Sequence, residues 1–215
     1  MKDHMKTLIE NKDYDGIRRL LSADPNLANE GIPFDETNTA KAHPLHRICD
    51  AVFAKKITDE DAITIAKIFL EFGARIEGNQ TTENQDPPLM AAASLHAEQL
   101  GIFYIEHGAN VHYADNNDGA TALHWAAYCG RDKLVARLIS AGAAIDQRDR
   151  SYDSTPVGWA LQPLIAGDKF NTWRQAACIK LLLKAGANAT GLNDKATRQL
   201  QLLAAEDEEL KKLLA

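Results

Sequence analysis

Pairs of apolar residues followed by a Gly-Ala dipeptide recur along the chain and predict a series of similar helices. The dipeptide begins at positions 73, 108, 142 and 186, and two apolar residues lie three and four positions before each glycine. Such a glycine can end a helix in the left-handed conformation, which residues with a Cβ rarely adopt. The glycines are 35, 34 and 44 residues apart, so we interpret the chain as a repeat protein with units of unequal length. The apolar pairs are Phe69 and Leu70, Tyr104 and Ile105, Leu138 and Ile139, and Leu182 and Leu183.

A second landmark lies upstream of each glycine and predicts another helix in every unit. It is a short turn related to Thr-Pro-Leu-His, at residues 43–46, 87–90, 121–124 and 155–158. Threonine is a good helix N-cap, and proline fits the first helical turn, where its missing N–H is not needed. The distance from this turn to the glycine is 27, 18, 18 and 28 residues, so two units are nine or ten residues longer than the others.

These motifs together resemble those of the ankyrin-repeat family. Residues 116–149, NNDGATALHWAAYCGRDKLVARLISAGAAIDQRD, are similar to a near-complete ankyrin repeat, with its Gly-x-Thr-x-Leu-His-x-Ala-Ala opening and its Gly-Ala close. The unit 82–115 is similar, except that Met90 replaces the histidine and His96 replaces the glycine in the middle of the repeat.

The remaining segments match the same pattern less completely. The units 40–78 and 150–189 match at both ends and carry an insertion in the middle. Residues 1–29 resemble a degenerate N-terminal capping repeat, and residues 194–215 resemble C-terminal capping helices. The resemblance therefore covers nearly all of the chain.

The resemblance implies an all-α fold, a single ankyrin-repeat domain over residues 1–215. In such a solenoid, helix-turn-helix units stack on one another and project hairpin loops, because no single unit buries both of its helix faces. We expect His124 to bridge its own turn and the neighbouring loop, Gly130 to allow a left-handed bend between two helices, and Gly142 to cap a helix. A tetratricopeptide array has the same period of about 34 residues, but its aromatic and Leu-Gly signature is absent here.

The extra residues of the two longer units fall at the same place, between the first and second helices. They lie within AVFAKKITDED and PLIAGDKFNTW. Thr58 or Asp59 can cap a new helix, and Thr172 has Gln175 three residues later, which is the spacing of a capping box. We therefore predict structured extensions in which the first helices are longer. They are either neutral additions, since loops tolerate length at little cost, or ledges that contact a partner or a second copy of the chain.

Composition and charge exclude several classes of protein. The chain is 45% hydrophobic, which is enough for a folded core, and it has no run of roughly 18 apolar residues that could span a membrane. Its start is charged, and its net charge of −6 disfavours nucleic acids and anionic lipid surfaces as partners. Three widely separated cysteines indicate neither a disulfide framework nor a zinc site. We expect a cytoplasmic, monomeric protein without membrane or nucleic-acid binding.

One cluster could carry chemistry, namely His43, His46, Cys49 and Asp50. Histidine, cysteine and carboxylate all bind zinc, so a metal-binding or enzymatic role is one alternative. The turn motif accounts for His46, however, and Cys49 occupies the position that Ala127 has in residues 116–149. The chain also lacks the phosphate-binding, nucleophile and metalloprotease motifs. We therefore predict no metal, no cofactor and no enzymatic activity.

The family resemblance implies a protein-protein interaction module, an adaptor, scaffold or inhibitor that binds a partner protein through its concave face and hairpin tips. An alternative is a regulatory or accessory subunit of an oligomer that uses the two insertions. Trp125 and Trp159 occupy equivalent places on two first helices, where we expect packing, with an exposed aromatic anchor as the alternative. Carried over from the family, the partner-binding residues are Glu83, Asn84, Asp86, Ser94, Leu95, Asn117, Asp118, Ala120, Tyr128, Cys129, Arg148, Tyr152, Ser154 and Gln162.

The hairpin segments are acidic. Residues 76–86, 112–120 and 146–154 together carry a net charge of −6, which equals that of the whole chain. This edge either attracts a partner with a basic patch or is a solvated rim that keeps the protein soluble.

Overall fold

Helices make up most of the ordered elements of the chain. The structure is a computed structural model that describes residues 2–34, 40–78, 86–167 and 172–214. Within these ranges the α-helices are joined by short loops, and the only strands are β1 (Ile32–Pro33) and β2 (Lys41–Ala42), which pair antiparallel. The all-α class is therefore confirmed. The chain divides into two compact units, Met1–Asn110 and Val111–Ala215, where the sequence predicts one domain.

The first unit consists of three helix pairs. They are α1 (Lys2–Glu10) with α2 (Tyr14–Ala23), α3 (Pro44–Phe53) with α4 (Asp59–Glu71), and α5 (Pro88–Ser94) with α6 (Glu98–Glu106). The first helices α1, α3 and α5 pack side by side in one layer, and α2, α4 and α6 form a second layer. Fully buried apolar side chains fill the space between the layers, among them Leu45, Phe69 and Tyr104.

The second unit repeats this arrangement with three further pairs. They are α7 (Ala122–Tyr128) with α8 (Asp132–Ser140), α9 (Pro156–Ile165) with α10 (Thr172–Lys184), and α11 (Asp194–Glu206) with α12 (Glu208–Leu213). Here α7, α9 and α11 form one layer, and α8, α10 and α12 form the other. Leu123, Leu138, Leu161 and Leu182 are completely buried in the core of this unit.

The Gly-Ala dipeptides end the second helix of each pair, as predicted. Gly142 has a φ of +86° and donates its N–H to the carbonyl of Ile139 at 3.0 Å, while the N–H of Ala143 bonds the carbonyl of Leu138 at 3.0 Å. These two bonds form a Schellman motif, which satisfies carbonyls that the helix leaves free. The alanine is needed because its small side chain is buried where the chain turns back. The same closure occurs at Ala74, Ala109 and Ala187.

The turns between the paired helices use the left-handed conformation in five of the six described pairs, the exception being α11 and α12, where Asp207 has a φ of −132°. Gly130 has a φ of +64°, which confirms its predicted role, and Gly167 has a φ of +78°. In the first unit the same conformation is adopted by Lys12, Lys55 and His96, with φ values of 58°, 57° and 66°. The replacement of glycine by His96 therefore changes the residue and keeps the backbone path.

The turn motif at the start of the first helices is confirmed in the second unit and modified in the first. The Nδ1 of His124 accepts the N–H of Thr121 at 3.1 Å, and its Nε2 donates to the carbonyl of Ser154 at 3.2 Å. This is the predicted bridge to the neighbouring loop. In α3, His43 caps the helix by accepting the N–H of Leu45, and the Nδ1 of His46 has no partner among the described residues. The ring of His46 is hydrogen-bonded to the backbone of Asp86, in the loop before α5. The bridge to the neighbouring loop is therefore kept in α3, while the hydrogen bond of His46 to its own turn is lost because His43 is the cap.

The two insertions lengthen both helices of their pairs. The first helices α3 and α9 have 10 residues against 7 in α5 and α7. The second helices α4 and α10 have 13 residues against 9 in α6 and α8. The extensions are structured, as predicted, but the prediction that the first helices alone are longer is incomplete.

Each lengthened second helix binds the neighbouring compact repeat of its own unit. The carboxylate of Asp59, at the start of α4, accepts the N–H groups of Gln99 and Leu100 at 3.1 and 3.2 Å and so caps α6. In α10, the guanidinium of Arg174 donates two hydrogen bonds to one oxygen of Asp132, at 2.8 and 3.0 Å. The insertions therefore hold adjacent repeats together.

The caps of the lengthened second helices differ from each other. Thr58 and Asp61 form a capping box at the start of α4, which confirms the first of the two predicted caps. The capping box predicted for Thr172 and Gln175 is wrong, because α10 already includes Thr172. The amide of Gln175 donates instead to the carbonyl of Tyr128 at 3.0 Å.

Replacing Asp59 with alanine is expected to lower the free energy of unfolding by about 1 kcal/mol, because α6 loses the side chain that caps it. The matched control is Glu60→Ala, at the next and exposed position of the same helix. Urea denaturation followed by circular dichroism measures both. Equal denaturation midpoints for the two variants would show that the cap contributes nothing to stability.

Gly142→Val is expected to lower the free energy of unfolding by about 1–3 kcal/mol, because a β-branched residue is strained at positive φ. Apart from the glycine and its two chain neighbours, no described residue has an atom within 4 Å of the position that a Cβ would take, so the loss comes from the backbone and not from a clash. Ala144→Val, at an exposed position without positive φ, is the control and should change stability by less than about 0.5 kcal/mol. A wild-type midpoint for Gly142→Val would contradict the helix-end assignment.

Candidate functional site

A buried carboxylate organises the loop that precedes α7. Asp115 is 8% exposed, and its oxygens accept the backbone N–H groups of Asn117, Asp118 and Ala120 at 2.8, 2.7 and 2.8 Å. These bonds satisfy N–H groups that lie outside regular structure. They also turn Ala120 inward, where it is 1% exposed, so this predicted contact residue offers no side-chain surface to a partner.

The loop that precedes α9 has the same construction, with one further bond. Asp149 is 2% exposed and accepts the N–H groups of Tyr152 at 2.6 Å and Ser154 at 3.1 Å. In addition, the indole N–H of Trp159 donates to Asp149 at 2.9 Å. Burial alone would raise the pKa of Asp149, but these donors outweigh burial and lower it. The loop therefore contains an ionised carboxylate that is hydrogen-bonded to the edge of an indole ring.

The two loops are bonded to each other. The N–H of Arg150 donates to the carbonyl of Asp118 at 2.5 Å, and the hydroxyl of Ser151 donates to the carboxylate of Asp118 at 2.5 Å. The guanidinium of Arg150 reaches the carbonyl of Asp115 at 2.8 Å. With its loop held in this way, the side chain of Tyr152 is 74% exposed at the loop tip.

An aromatic groove lies where these loops meet the layer of first helices. It is formed by Trp125 and Tyr128 from α7, Tyr152 from the loop and Trp159 from α9. The ring centroids of Trp125, Tyr128 and Tyr152 are 5.1, 6.0 and 6.4 Å from that of Trp159, and all three rings are nearly perpendicular to it. The groove encloses a cavity of about 400 Å³. Its remaining lining residues are Ser154, Gln162 and Ala166.

Comparison with known proteins identifies the repeats. A family profile described as ankyrin repeats, in three copies, matches residues 51–149. Residues 51–149 of the chain carry ankyrin repeats. The match includes the loop and helix that supply Trp125 and Tyr128, so part of the aromatic groove lies in the recognised region. Asp149 is the last residue of the matched range.

Several curated proteins resemble the chain over these ankyrin repeats. The palmitoyltransferase ZDHHC13 of Mus musculus is 41% identical over 71 residues, which cover 31% of this chain and 11% of that protein. The palmitoyltransferase ZDHHC17 of Danio rerio is 42% identical over 69 residues, covering 30% and 11%. The ankyrin repeat and SOCS box protein 6 of Mus musculus is 31% identical over 121 residues, covering 55% and 27%. The chain thus spans at most 27% of the length of these relatives.

Four of the residues predicted to bind a partner come together in the aromatic groove, namely Tyr128, Tyr152, Ser154 and Gln162. Trp125 and Trp159, which we expected to serve packing, line the same groove, although Trp159 is only 7% exposed. Trp125 is partly exposed, as the alternative of an exposed aromatic anchor requires. A sequence signal was present, because Asp115 and Asp149 are 34 residues apart, each six residues before a helix-capping threonine.

The other predicted residues of the ankyrin repeats lie outside the groove. Asn117 and Arg148 are exposed on the loops, and Asp118 is half-buried between them. Cys129 is half-buried, and burial raises the pKa of its thiol to about 11, so it is not a reactive thiolate at neutral pH. In the first unit, Asp86 is exposed, while Ser94 and Leu95 are half-buried at the end of α5. Glu83 and Asn84 lie outside the described residues.

The cluster considered for metal binding is divided among other contacts. The Nε2 of His43 is hydrogen-bonded to the Oδ1 of Asn29 at 3.1 Å. Burial, together with the charges of Arg75 and His46, lowers the pKa of His43 to about 4. Cys49 is buried and donates to the carbonyl of Leu45, and Asp50 accepts a hydrogen bond from Arg47 at 2.5 Å. In the part of the chain that the structure describes, no three histidine, cysteine or acidic side chains are placed to hold a metal.

Several carboxylates of the acidic hairpin segments accept hydrogen bonds from backbone N–H groups of the repeats. Glu77 accepts the N–H of Asn110 at 2.6 Å, and Asp146 accepts that of Asn188 at 2.8 Å. Asp115 and Asp149 likewise bind backbone N–H groups within their loops. These carboxylates are required by the repeats themselves, so the acidic count does not by itself indicate a basic partner.

In the described ranges, no helix has both the length and the apolar character required to cross a membrane.

Asp149→Asn is expected to lower the free energy of unfolding at pH 7 by about 1–3 kcal/mol, since the amide is a weaker acceptor for three donors. Because folding lowers the pKa of Asp149, its contribution is present above the unfolded pKa of about 3.9 and is lost as pH falls through the folded value. The difference between wild type and variant should therefore shrink towards pH 3 in urea denaturation. Asp153→Asn, an exposed carboxylate in the same loop, is the control. A difference that stays constant with pH would contradict this role of the charge.

Proposed function

We propose that the chain is an adaptor that holds a segment of a partner protein in the aromatic groove of its second unit. Ankyrin repeats are generally protein-interaction modules. The observation that carries the proposal is the grouping of four aromatic side chains around an open cavity. Two of them, Tyr152 and Tyr128, are 74% and 42% exposed. Tryptophan and tyrosine are enriched among the residues that dominate binding energy at interfaces, and exposed aromatic groups clustered in a cleft are a typical contact surface.

The support beneath the groove favours binding without rearrangement. Tyr152 is held through its backbone by Asp149, and the carbonyl of Tyr128 accepts a hydrogen bond from Gln175. Trp159 is fixed by its indole N–H. Because the Trp159 ring and the backbone at Tyr128 and Tyr152 are already held in place, the protein loses less conformational entropy when it binds a partner.

A second cavity lies on the other side of Tyr152 and suggests how a partner segment would run. It has a volume of about 190 Å³ and is lined in part by Arg148, Asp153 and Asn193. Tyr152 and Ser154 belong to both cavities. A segment that crosses Tyr152 would therefore place one side chain among aromatic rings and another among charged and polar groups.

The relatives support an interaction role more than a shared catalytic one. Two are named as palmitoyltransferases and one as a SOCS box protein, and each resembles this chain over a minor part of its own length. The feature that these stretches have in common with this chain is the repeats. We therefore propose that the chain acts by holding a partner and not as an enzyme. The described contacts of the insertions are with adjacent repeats of the same unit, so they do not support the alternative of an oligomer formed through the insertions.

A photo-crosslinking amino acid at position 162, on the rim of the groove, tests the proposal in an extract of the source cells. We expect a crosslinked partner protein with the probe at Gln162 and none with the probe at exposed Leu202 on α11. Tyr152→Ala should reduce the yield about tenfold or more, as for a dominant interface residue, whereas Leu202→Ala should not. The same crosslinked proteins at both positions, or a yield insensitive to Tyr152→Ala, would overturn the proposal.

A further inference from the structure

The aromatic groove has the features of a site for a positive charge, and we propose that it binds an arginine side chain of the partner segment. The inference rests on the proposed function and narrows the partner to a protein with an exposed arginine. Guanidinium groups are attracted to the faces of tryptophan and tyrosine rings, with tryptophan the strongest. Trp125, which is partly exposed, lines the groove with Tyr128 and Tyr152, and the largely buried Trp159 forms its floor.

The rings pack edge to face around Trp159, which is 7% exposed, so the accessible ring surface of the groove belongs to Trp125, Tyr128 and Tyr152. Trp125, Tyr128 and Tyr152 stand at 77°, 74° and 73° to the plane of Trp159. Ring planes at right angles form the walls and floor of a corner, whereas parallel rings would hide their faces in a stack. A planar cation that enters such a corner meets the negative face of one ring while its edge lies against another.

The buried carboxylate makes this corner more attractive to a cation. Asp149 accepts the indole N–H of Trp159 at 2.9 Å, and its other described partners are backbone N–H groups, which carry no net charge. The one neighbouring group that would add a positive charge among those printed for Asp149 is His124, and burial lowers the pKa of His124, so it is largely neutral at pH 7. A hydrogen bond from the indole to an ionised acceptor also increases the electron density of the ring, which strengthens its attraction for a cation.

Among the residues that the structure describes, no cation of the chain occupies the groove. None of the described side chains that line it is positively charged. The two nearby guanidinium groups are bound elsewhere, Arg150 to the carbonyl of Asp115 and Arg148 to Asp153 and to the carbonyl of Gly191. The site is thus negative in character, aromatic and open to a cation from outside.

Polar groups on the rim favour arginine over lysine. Ser154 and Gln162 line the groove, and each has a side-chain oxygen that can accept a hydrogen bond. A guanidinium group presents five N–H donors in one plane, so it can stack on a ring and donate to the rim at the same time. An ammonium group is more strongly hydrated and does not stack.

Peptide titrations test the proposal on the full chain. The probes are acetyl-Gly-Gly-Arg-Gly-Gly-amide, the same peptide with citrulline, which has the shape of arginine without its charge, and the same peptide with lysine. Binding is followed by the indole ¹H–¹⁵N resonances of Trp125 and Trp159. The arginine peptide should shift both resonances saturably and bind about fivefold or more tightly than the citrulline peptide. The lysine peptide should bind less tightly than the arginine peptide.

Variants place the effect in the groove. Trp125→Leu should abolish the preference for arginine over citrulline, and Leu202→Ala should leave it unchanged. Asp149→Asn should reduce the preference, because the ring loses the charge behind it. Trp125→Leu keeps the test valid if the asparagine variant does not fold, since the side chain of Trp125 is partly exposed.

Equal affinity for the arginine and citrulline peptides would overturn the proposal and identify an apolar groove, as would the absence of any shift. Tighter binding of the lysine peptide would overturn the assignment to arginine. None of these results would affect the crosslink at Gln162, which tests protein binding independently of the partner's charge.

Discussion

Backbone N–H groups outside the helices need acceptors, and in this chain carboxylates supply them. A repeat built from two short helices leaves many backbone donors in loops and at helix starts, and each buried donor that lacks a partner costs free energy. Asp115 and Asp149 bind N–H groups of their loops, and Asp59 binds those at the start of α6. Glu77 and Asp146 bind N–H groups in the next repeat of their own units. The acidity of the sequence is thus partly a requirement of the fold.

The sequence predicted the parts of the fold that depend on local chemistry. The helix ends at Gly142 and its equivalents follow from the conformational freedom of glycine, and the Thr121–His124 turn follows from side-chain capping. Neither needs information from distant residues. The capping box predicted at Gln175 failed for the opposite reason, because its amide found a carbonyl in another repeat. A side chain with two possible partners cannot be assigned from spacing alone.

The aromatic groove was predictable only in part, because its members come from three elements. Tyr128 and Tyr152 were identified through the positions that the family uses for contacts. Trp159 was assigned to packing, and the structure shows that it is largely buried and also lines the cavity. Its bond to Asp149 joins two residues that are 10 positions apart, across a loop whose path could not be derived from periodicity. The groove thus depends on the loop conformation more than on the helices.

The two units use different residue types at the left-handed turns between paired helices. In the second unit they fall on glycine, at Gly130 and Gly167, whereas in the first unit they fall on Lys12, Lys55 and His96. A residue with a Cβ pays about 1 kcal/mol or more for this conformation. We therefore expect the turns of the first unit to open locally at a lower cost in free energy, with faster exchange of their amide protons and earlier cleavage by proteases. The two glycine turns of the unit that carries the aromatic groove avoid this cost, and the one described non-glycine residue at positive φ in that unit is Asp153, in the groove loop itself.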